Sequence, residues 1–102
     1  MSKLFDDEVR LALRDLPDWR HFGNALHKEF RFHGFRAAIA FVNRVADQAV
    51  AAGHHPDFEL HGDRVHVSLS TRDDGGVSAN DIALAQSIER VTHAAGAHST
   101  AH

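Results

Sequence analysis

The chain has 102 residues and no cysteine, so it fits one domain and excludes disulfides, cysteine nucleophiles and thiolate metal sites. Its 43% hydrophobic and 25% charged content is that of an ordinary globular protein, which excludes disorder for the bulk of the chain. A net charge of −3 argues against nucleic-acid binding by bulk positive charge, and no apolar run is long enough to span a membrane.

The first residues, Met1-Ser2-Lys3-Leu4-Phe5-Asp6-Asp7-Glu8, are acidic and lack an apolar signal core, so a cytoplasmic location is expected. Asp6 to Leu16 reads as a first helix with Val9, Leu11, Leu13 and Leu16 as its apolar residues, ended by Pro17. Trp19 to Phe22 is a short strand, and Gly23-Asn24 is a turn signal. Ala25 to Phe32 alternates. Leu26, Phe30 and Phe32 lie on one face, and His27, Glu29 and Arg31 on the other, as in a half-buried strand.

His33-Gly34 breaks that pattern and a helical period follows. Phe35, Ala38, Ile39, Val42, Val45, Ala46, Ala49 and Val50 fall at offsets 0, 3, 4, 7, 10, 11, 14 and 15, with Gly53 as the stop. After His54-His55-Pro56-Asp57, strands are predicted over Phe58 to His61 and Arg64 to Thr71, joined at Gly62-Asp63. Val65, Val67 and Leu69 share one face of the second strand. Asp73 to Gly76 is a loop. Ser78-Ala79-Asn80-Asp81 reads as a capping box for a last helix that runs to about His93 with Leu84, Ile88 and Val91 on one side. Residues 94–102 read as a frayed tail.

The order is α-β-β-α-β-β-α, with no linker and no longer repeat. It predicts an α+β fold with a four-stranded antiparallel sheet and three helices packed on one face. Such a sheet has another face and edges to cover, so self-association is expected.

Ten histidines in one short chain are the unusual feature. Histidine changes charge near neutral pH and serves as acid, base or metal ligand. His54 and His55 follow a helix end, and Pro56 holds His55 extended. A positioned acid/base pair would suit that place, and so would a cap on the helix C-terminus. Ser70-Thr71-Arg72-Asp73 leaves a strand end, where a scaffold holds side chains beside a loop. Arg72 there either holds an anion or polar heterocycle by its fork of donors, or is a solvated side chain paired with Asp73 or Asp74. Trp19 either stacks on a flat ligand or belongs to the core or an interface. His54, His55 and Asp57, or His61 with His66, are conceivable metal ligands, but no familiar ligand spacing is present, so no metal site is expected. His27, His61 and His66 fall on polar strand faces, open to solvent or to another subunit. Phosphate loops and a serine nucleophile elbow are absent.

Phe41-Val42-Asn43-Arg44-Val45-Ala46, His54-His55-Pro56-Asp57, Val65-His66-Val67-Ser68-Leu69-Ser70-Thr71 and Gly76-Val77-Ser78 with Asp81 and Leu84-Ala85 together form a pattern. It resembles the pterin-4a-carbinolamine dehydratases and runs from Leu16-Pro17-Asp18-Trp19 to about Val91. The resemblance implies the α+β fold read above and a homodimer or homotetramer. It also implies removal of water from 4a-hydroxytetrahydrobiopterin, left by aromatic amino acid hydroxylases, to give quinonoid dihydropterin that a reductase recycles. No metal or organic cofactor is implied. Protonating the leaving hydroxyl and withdrawing a ring proton both assist the reaction, and His54 and His55 match the residues for those roles. His54, His55, Pro56, Ser70, Thr71, Arg72 and Asp73 are the implied pterin contacts.

The sequence departs from the family in two places. Arg72 stands where the family typically has a third active-site histidine, and arginine cannot serve as a base. Phe58 stands where many members have tryptophan. The first departure implies reduced activity, or activity resting on the remaining pair. It also admits a different role, because relatives of this fold serve as a transcription-factor dimerisation cofactor or assist Rubisco assembly.

Overall fold

The computed structural model describes residues 3–95 and 98–99. The elements are α1 (Asp6–Ala12), β1 (Arg20–Phe22), β2 (Ala25–Arg31), α2 (Phe35–Ala52), β3 (Asp57–His61), β4 (Arg64–Leu69), α3 (Ala79–Ala95) and β5 (His98–Ser99). The first four strands are antiparallel in the order β1-β2-β4-β3, with β5 beside β2, and the helices cover one face, as expected. No helix among the described residues is long and apolar enough to cross a membrane.

Several boundaries differ from those predicted. The first helix stops at Ala12 and tightens into a 3-10 turn over Leu13–Asp15, whose end Leu16 plugs into the core. Trp19 and Phe32 lie just outside their strands, and Asp57 joins β3. β4 ends at Leu69, and Arg72–Asp74 form a 3-10 turn rather than an open loop. The last helix continues to Ala95. Within the expected frayed tail, His98–Ser99 pair with Phe30 and Arg31 of β2, while 96, 97 and 100–102 lie outside the described residues.

Turn chemistry makes the first hairpin. Gly23 and Asn24 both take positive φ, 59° and 62°, the two-residue turn whose twist matches the flanking strands. Phe22 then pairs with Ala25 and Arg20 with His27. The second hairpin lies intact beside the first. Its β4 inserts against β2, so β1 and β3 become edges. The β2–α2–β3 connection therefore spans β4, and it carries the end of α2 to the sheet end where β4 finishes.

The core forms between sheet and helices from Leu26 and Phe30 of β2, Val65, Val67 and Leu69 of β4, Phe41 and Val45 of α2, and Leu84 and Ile88 of α3. The buried stripe of α2 is Ala38, Phe41, Val45 and Ala49. This corrects the predicted stripe, because Phe41 is fully buried while Phe35 and Val50 are 57% and 73% exposed. Phe35, Ile39, Val42, Ala46 and Val50 make a second apolar row one step round the helix, and the sequence periodicity had merged the two rows. Trp19 belongs to the core. It is buried, meets Phe30 edge-on at 6.2 Å, and donates its indole N–H to Glu89 at 3.0 Å.

One charge is buried on the apolar face of β2. The Lys28 ammonium donates to the Glu89 carboxylate at 2.7 Å and to the Pro17 carbonyl at 2.9 Å, and lies 4.8 Å from the Phe30 ring centroid. Its donors and the acceptors around them match, which is the condition for a charge to stay inside. On the opposite, open face, His27 and His66 lie in hydrogen-bond contact. Burial, helped by the charges of His66 and His21, holds the His27 imidazole below the ordinary histidine range against the pull of the Phe22 carbonyl.

Removing one partner of the Lys28–Glu89 pair leaves a buried charge without compensation. Lys28→Met should cost about 3–5 kcal/mol in denaturant unfolding. Adding Glu89→Gln, which removes the orphaned charge but keeps an acceptor for Trp19, should recover part of that loss. A double variant no more stable than Lys28→Met alone would contradict this account.

Candidate functional site

The register of β3 on β4 creates the site. Asp57 faces Ser68, so the residues before Asp57 and the residues after Leu69 emerge at the same end of the sheet. There they line an open cavity of about 430 Å³ whose walls carry His54, His55, Asp57, Ser70, Thr71, Arg72 and Asp73. Six of the seven residues expected at the site are among these. Pro56 is not, and Asp57 is an addition that its place two residues beyond His55 in extended chain could have indicated.

The end of α2 is closed by backbone. Gly53 takes φ of 66°, its N–H donates to the Val50 carbonyl, and the His54 N–H donates to the Ala49 carbonyl at 3.1 Å. This Schellman arrangement satisfies the Ala49 and Val50 carbonyls without any side chain. The His54 imidazole is thereby left free for other work, which decides against its reading as a side-chain helix cap.

That imidazole donates from Nε2 to Oδ1 of Asp81. Asp81 is fully buried in the first turn of α3. Its other oxygen, Oδ2, accepts the Ser78 N–H at 2.9 Å and the Thr71 hydroxyl at 2.8 Å. Thr71 has one hydroxyl proton and spends it on Asp81. The 2.7 Å contact between Thr71 Oγ1 and Ser78 Oγ is therefore donated by Ser78. The predicted capping box is thus present in its backbone half, with the Asp81 carboxylate reaching back to the Ser78 N–H.

Sequence reading found Asp81 as a cap and missed it as part of the site. The signal was the second carboxylate oxygen, which a cap alone leaves unassigned. An ionised carboxylate only accepts, so it fixes the proton of a neutral His54 on Nε2 and leaves the lone pair on Nδ1. A neutral His54 thus has a set tautomer and stands at the pocket wall. His55 is exposed on the same wall and makes no side-chain hydrogen bond or ion pair among the described residues.

The other wall is built by a closed loop. Thr71 and Gly76 exchange backbone hydrogen bonds, and Gly75, at φ of 73°, turns the chain between them. Arg72 begins the enclosed 3-10 turn and lines the cavity. It forms no ion pair with Asp73, Asp74 or any other described residue. Arg72 is exposed, as its solvated reading expects, but the pairing with Asp73 or Asp74 is not found. Trp19 does not line this cavity.

The geometry matches a known family. The model for pterin 4 alpha carbinolamine dehydratase matches residues 2–91. A Gloeobacter violaceus protein provisionally named pterin-4-alpha-carbinolamine dehydratase 2 is 42% identical over 92 residues, 86% of this chain and 100% of that one. A provisionally named pterin-4-alpha-carbinolamine dehydratase of Thermomicrobium roseum is 43% identical over 88 residues, 86% of this chain and 95% of that one. Among solved structures, a transcriptional coactivator/pterin dehydratase from Brucella melitensis superposes with a TM-score of 0.84 at 30% identity, covering 88% of this chain and 98% of that one. A pterin dehydratase-like protein described as a RuBisCO assembly factor in the alpha-carboxysome shares the fold, with a TM-score of 0.63 at 22% identity over 72% of this chain and 88% of that one. The chain belongs to the pterin 4 alpha carbinolamine dehydratase family.

Proposed function

We propose that the chain is a hydro-lyase that removes water from 4a-hydroxytetrahydrobiopterin and releases quinonoid dihydropterin, recycling a pterin cofactor. The observation that carries this reading is His54, a histidine of fixed tautomer beside a second histidine on one pocket wall that has no side-chain partner among the described residues. The reaction breaks the bond from C4a to its hydroxyl and takes a proton from the ring system. In the proposed mechanism, Nδ1 of His54 accepts the ring proton. His55, in its protonated form, gives a proton to the departing hydroxyl, which leaves as water. Asp81 stabilises the imidazolium that forms on His54, because its carboxylate already faces the Nε2 proton.

Arg72 takes no part in moving protons, since its guanidinium stays charged. It holds the pterin or the departing oxygen as a donor, with Ser70, Thr71 and Asp73 completing the polar wall. Pro56 contributes by keeping His55 extended. The exposed apolar row of α2, with Phe35 and Val50 at its ends, supports self-association into a dimer or tetramer. A cytoplasmic location suits the pterin chemistry proposed.

A second reading is a protein-binding or assembly role with weakened catalysis. Arg72 at the pocket favours it, as do the names of two structures of this fold, a coactivator and an assembly factor. Stable capture of a stoichiometric partner that survives loss of both His54 and His55 would favour this role. Dehydration at ordinary family rates would count against it as the sole role.

Ultraviolet absorbance of enzymatically generated 4a-hydroxytetrahydropterin separates the two readings. The protein should accelerate dehydration over the spontaneous reaction. His55→Ala should lower the rate by about 10²–10⁴-fold, and Arg72→His should raise it. No acceleration by the wild-type chain would end the enzyme reading, and an unchanged rate in Arg72→His would overturn the role given to Arg72.

Asp81→Asn tests the positioning of His54. If the amide oxygen keeps the Ser78 and Thr71 donors, its NH₂ faces His54 and forces the proton onto Nδ1. The turnover rate should fall by about 10²–10⁴-fold with little change in KM, while the circular dichroism spectrum stays folded. A folded variant with wild-type turnover would show that Asp81 is only a helix cap.

A further inference from the structure

The loop that carries Arg72 is held from outside by the first described residues of the chain. Within the loop, the Thr71 N–H donates to the Gly76 carbonyl at 2.8 Å, and the Gly76 N–H returns to the Thr71 carbonyl at 3.3 Å. On the outer side, the Leu4 N–H donates to the Val77 carbonyl at 2.8 Å. Leu4 is itself tethered. Its side chain packs on the core, and the next residue, Phe5, opens α1. There the Phe5 N–H donates to the Glu8 carboxylate at 2.9 Å, and the Phe5 carbonyl accepts the Val9 N–H at 3.1 Å. Gly76 and Val77 therefore lie between two stretches of backbone, Thr71 on one side and Leu4 on the other.

Gly76 is buried although it has no side chain of its own. A Cβ at this position would stand 3.0 Å from Cε of Lys3, 3.2 Å from Cδ and 3.4 Å from Cγ, so the lysine stem occupies the space that a side chain would need. Lys3 as a whole is exposed and forms no side-chain hydrogen bond or ion pair among the described residues. Its aliphatic stem, not its charge, makes the contact. We propose that Lys3 and Leu4 are positioning residues for substrate binding. The Lys3 stem covers the Gly76 end of the loop, the Leu4 N–H holds Val77, and together they keep Arg72 and Asp73 at the cavity wall. The inference rests on reading that cavity as the place where the pterin binds.

The cover matters because the loop has few holds of its own. Asp81 fixes the residues at its two ends, Thr71 and Ser78. Between them Arg72, Asp73 and Gly75 are exposed, and the enclosed turn adds only the Asp74 N–H to the Thr71 carbonyl and the Gly75 N–H to the Arg72 carbonyl. Backbone bonds left open to water break in local fluctuations, and an apolar stem laid over Gly76 keeps water from the bridge to Thr71. A loop that is closed only part of the time lowers the apparent affinity by the closed fraction. His54 and Asp81 stand outside the loop, at the end of α2 and the start of α3, so the clamp leaves the proton-moving pair untouched. Saturating substrate closes the loop by mass action, so loss of the clamp acts on KM and not on kcat.

Lys3→Gly removes the stem, and Lys3→Met keeps an apolar stem without the charge. Because Lys3 is exposed, neither change takes anything from the core. Amide hydrogen exchange at Thr71 and Gly76, followed by NMR, should be about tenfold faster in Lys3→Gly and close to wild type in Lys3→Met. KM for 4a-hydroxytetrahydropterin should rise about three- to tenfold in Lys3→Gly with kcat unchanged, and should return to the wild-type value in Lys3→Met. Wild-type exchange rates in Lys3→Gly would overturn the proposal, and so would faster exchange with an unchanged KM. Effects that Lys3→Met fails to restore would overturn the role given to the stem. A wild-type chain that does not accelerate dehydration ends the enzyme reading instead, and the exchange rates then still decide whether the stem holds the loop.

Discussion

A buried carboxylate is stable only when donors surround it, and Asp81 collects its donors from three separate pieces of chain. Ser78 brings the start of α3, Thr71 the end of β4, and His54 the residue just past α2. An ionised group with no exposure carries a desolvation cost of several kcal/mol, offset only if all three come to it. The same contacts that satisfy Asp81 therefore bring the two pocket walls together. Structure and chemistry share one group: the carboxylate closes the fold at this end and sets the tautomer of His54.

The second buried charge works differently. Lys28 and Glu89 join β2 to α3, with Trp19 and the Pro17 carbonyl completing the set. That cluster lines no part of the cavity at His54 and Arg72 and anchors the far half of α3 against the sheet. Helix α3 is thus pinned near its start by Asp81 and further along by Glu89. Its N-terminal turn, and with it the His54 contact, is held at both distances.

Local rules made much of this legible in sequence. Gly23-Asn24, Gly53, Pro56 and the Ser78–Asp81 spacing each act within a few residues, and each is found where the sequence places it. Periodicity succeeded for β2 and β4, where one face meets the core. It blurred on α2, because two adjacent apolar rows give one broad stripe and only tertiary packing separates Phe41 from Phe35 and Val50. Contacts between residues far apart in sequence were out of reach. His27 and His66 are 39 residues apart, and His54 and Asp81 are 27 apart. Both pairs depend on the insertion of β4 between β2 and β3 or on the packing of α3, and no local pattern encodes either. The six pocket residues were found because each stands at the end of a regular element, and the topology then gathers those ends.

The central claim is that Asp81 fixes the proton of His54 on Nε2 and leaves Nδ1 as the base. Histidine ring ¹⁵N and ¹H NMR on the wild-type protein, above the titration of His54, reads this directly. The account predicts a protonated Nε2 with a strongly deshielded proton, and an Nδ1 with the shift of a bare lone pair. A neutral His54 protonated on Nδ1 would contradict it.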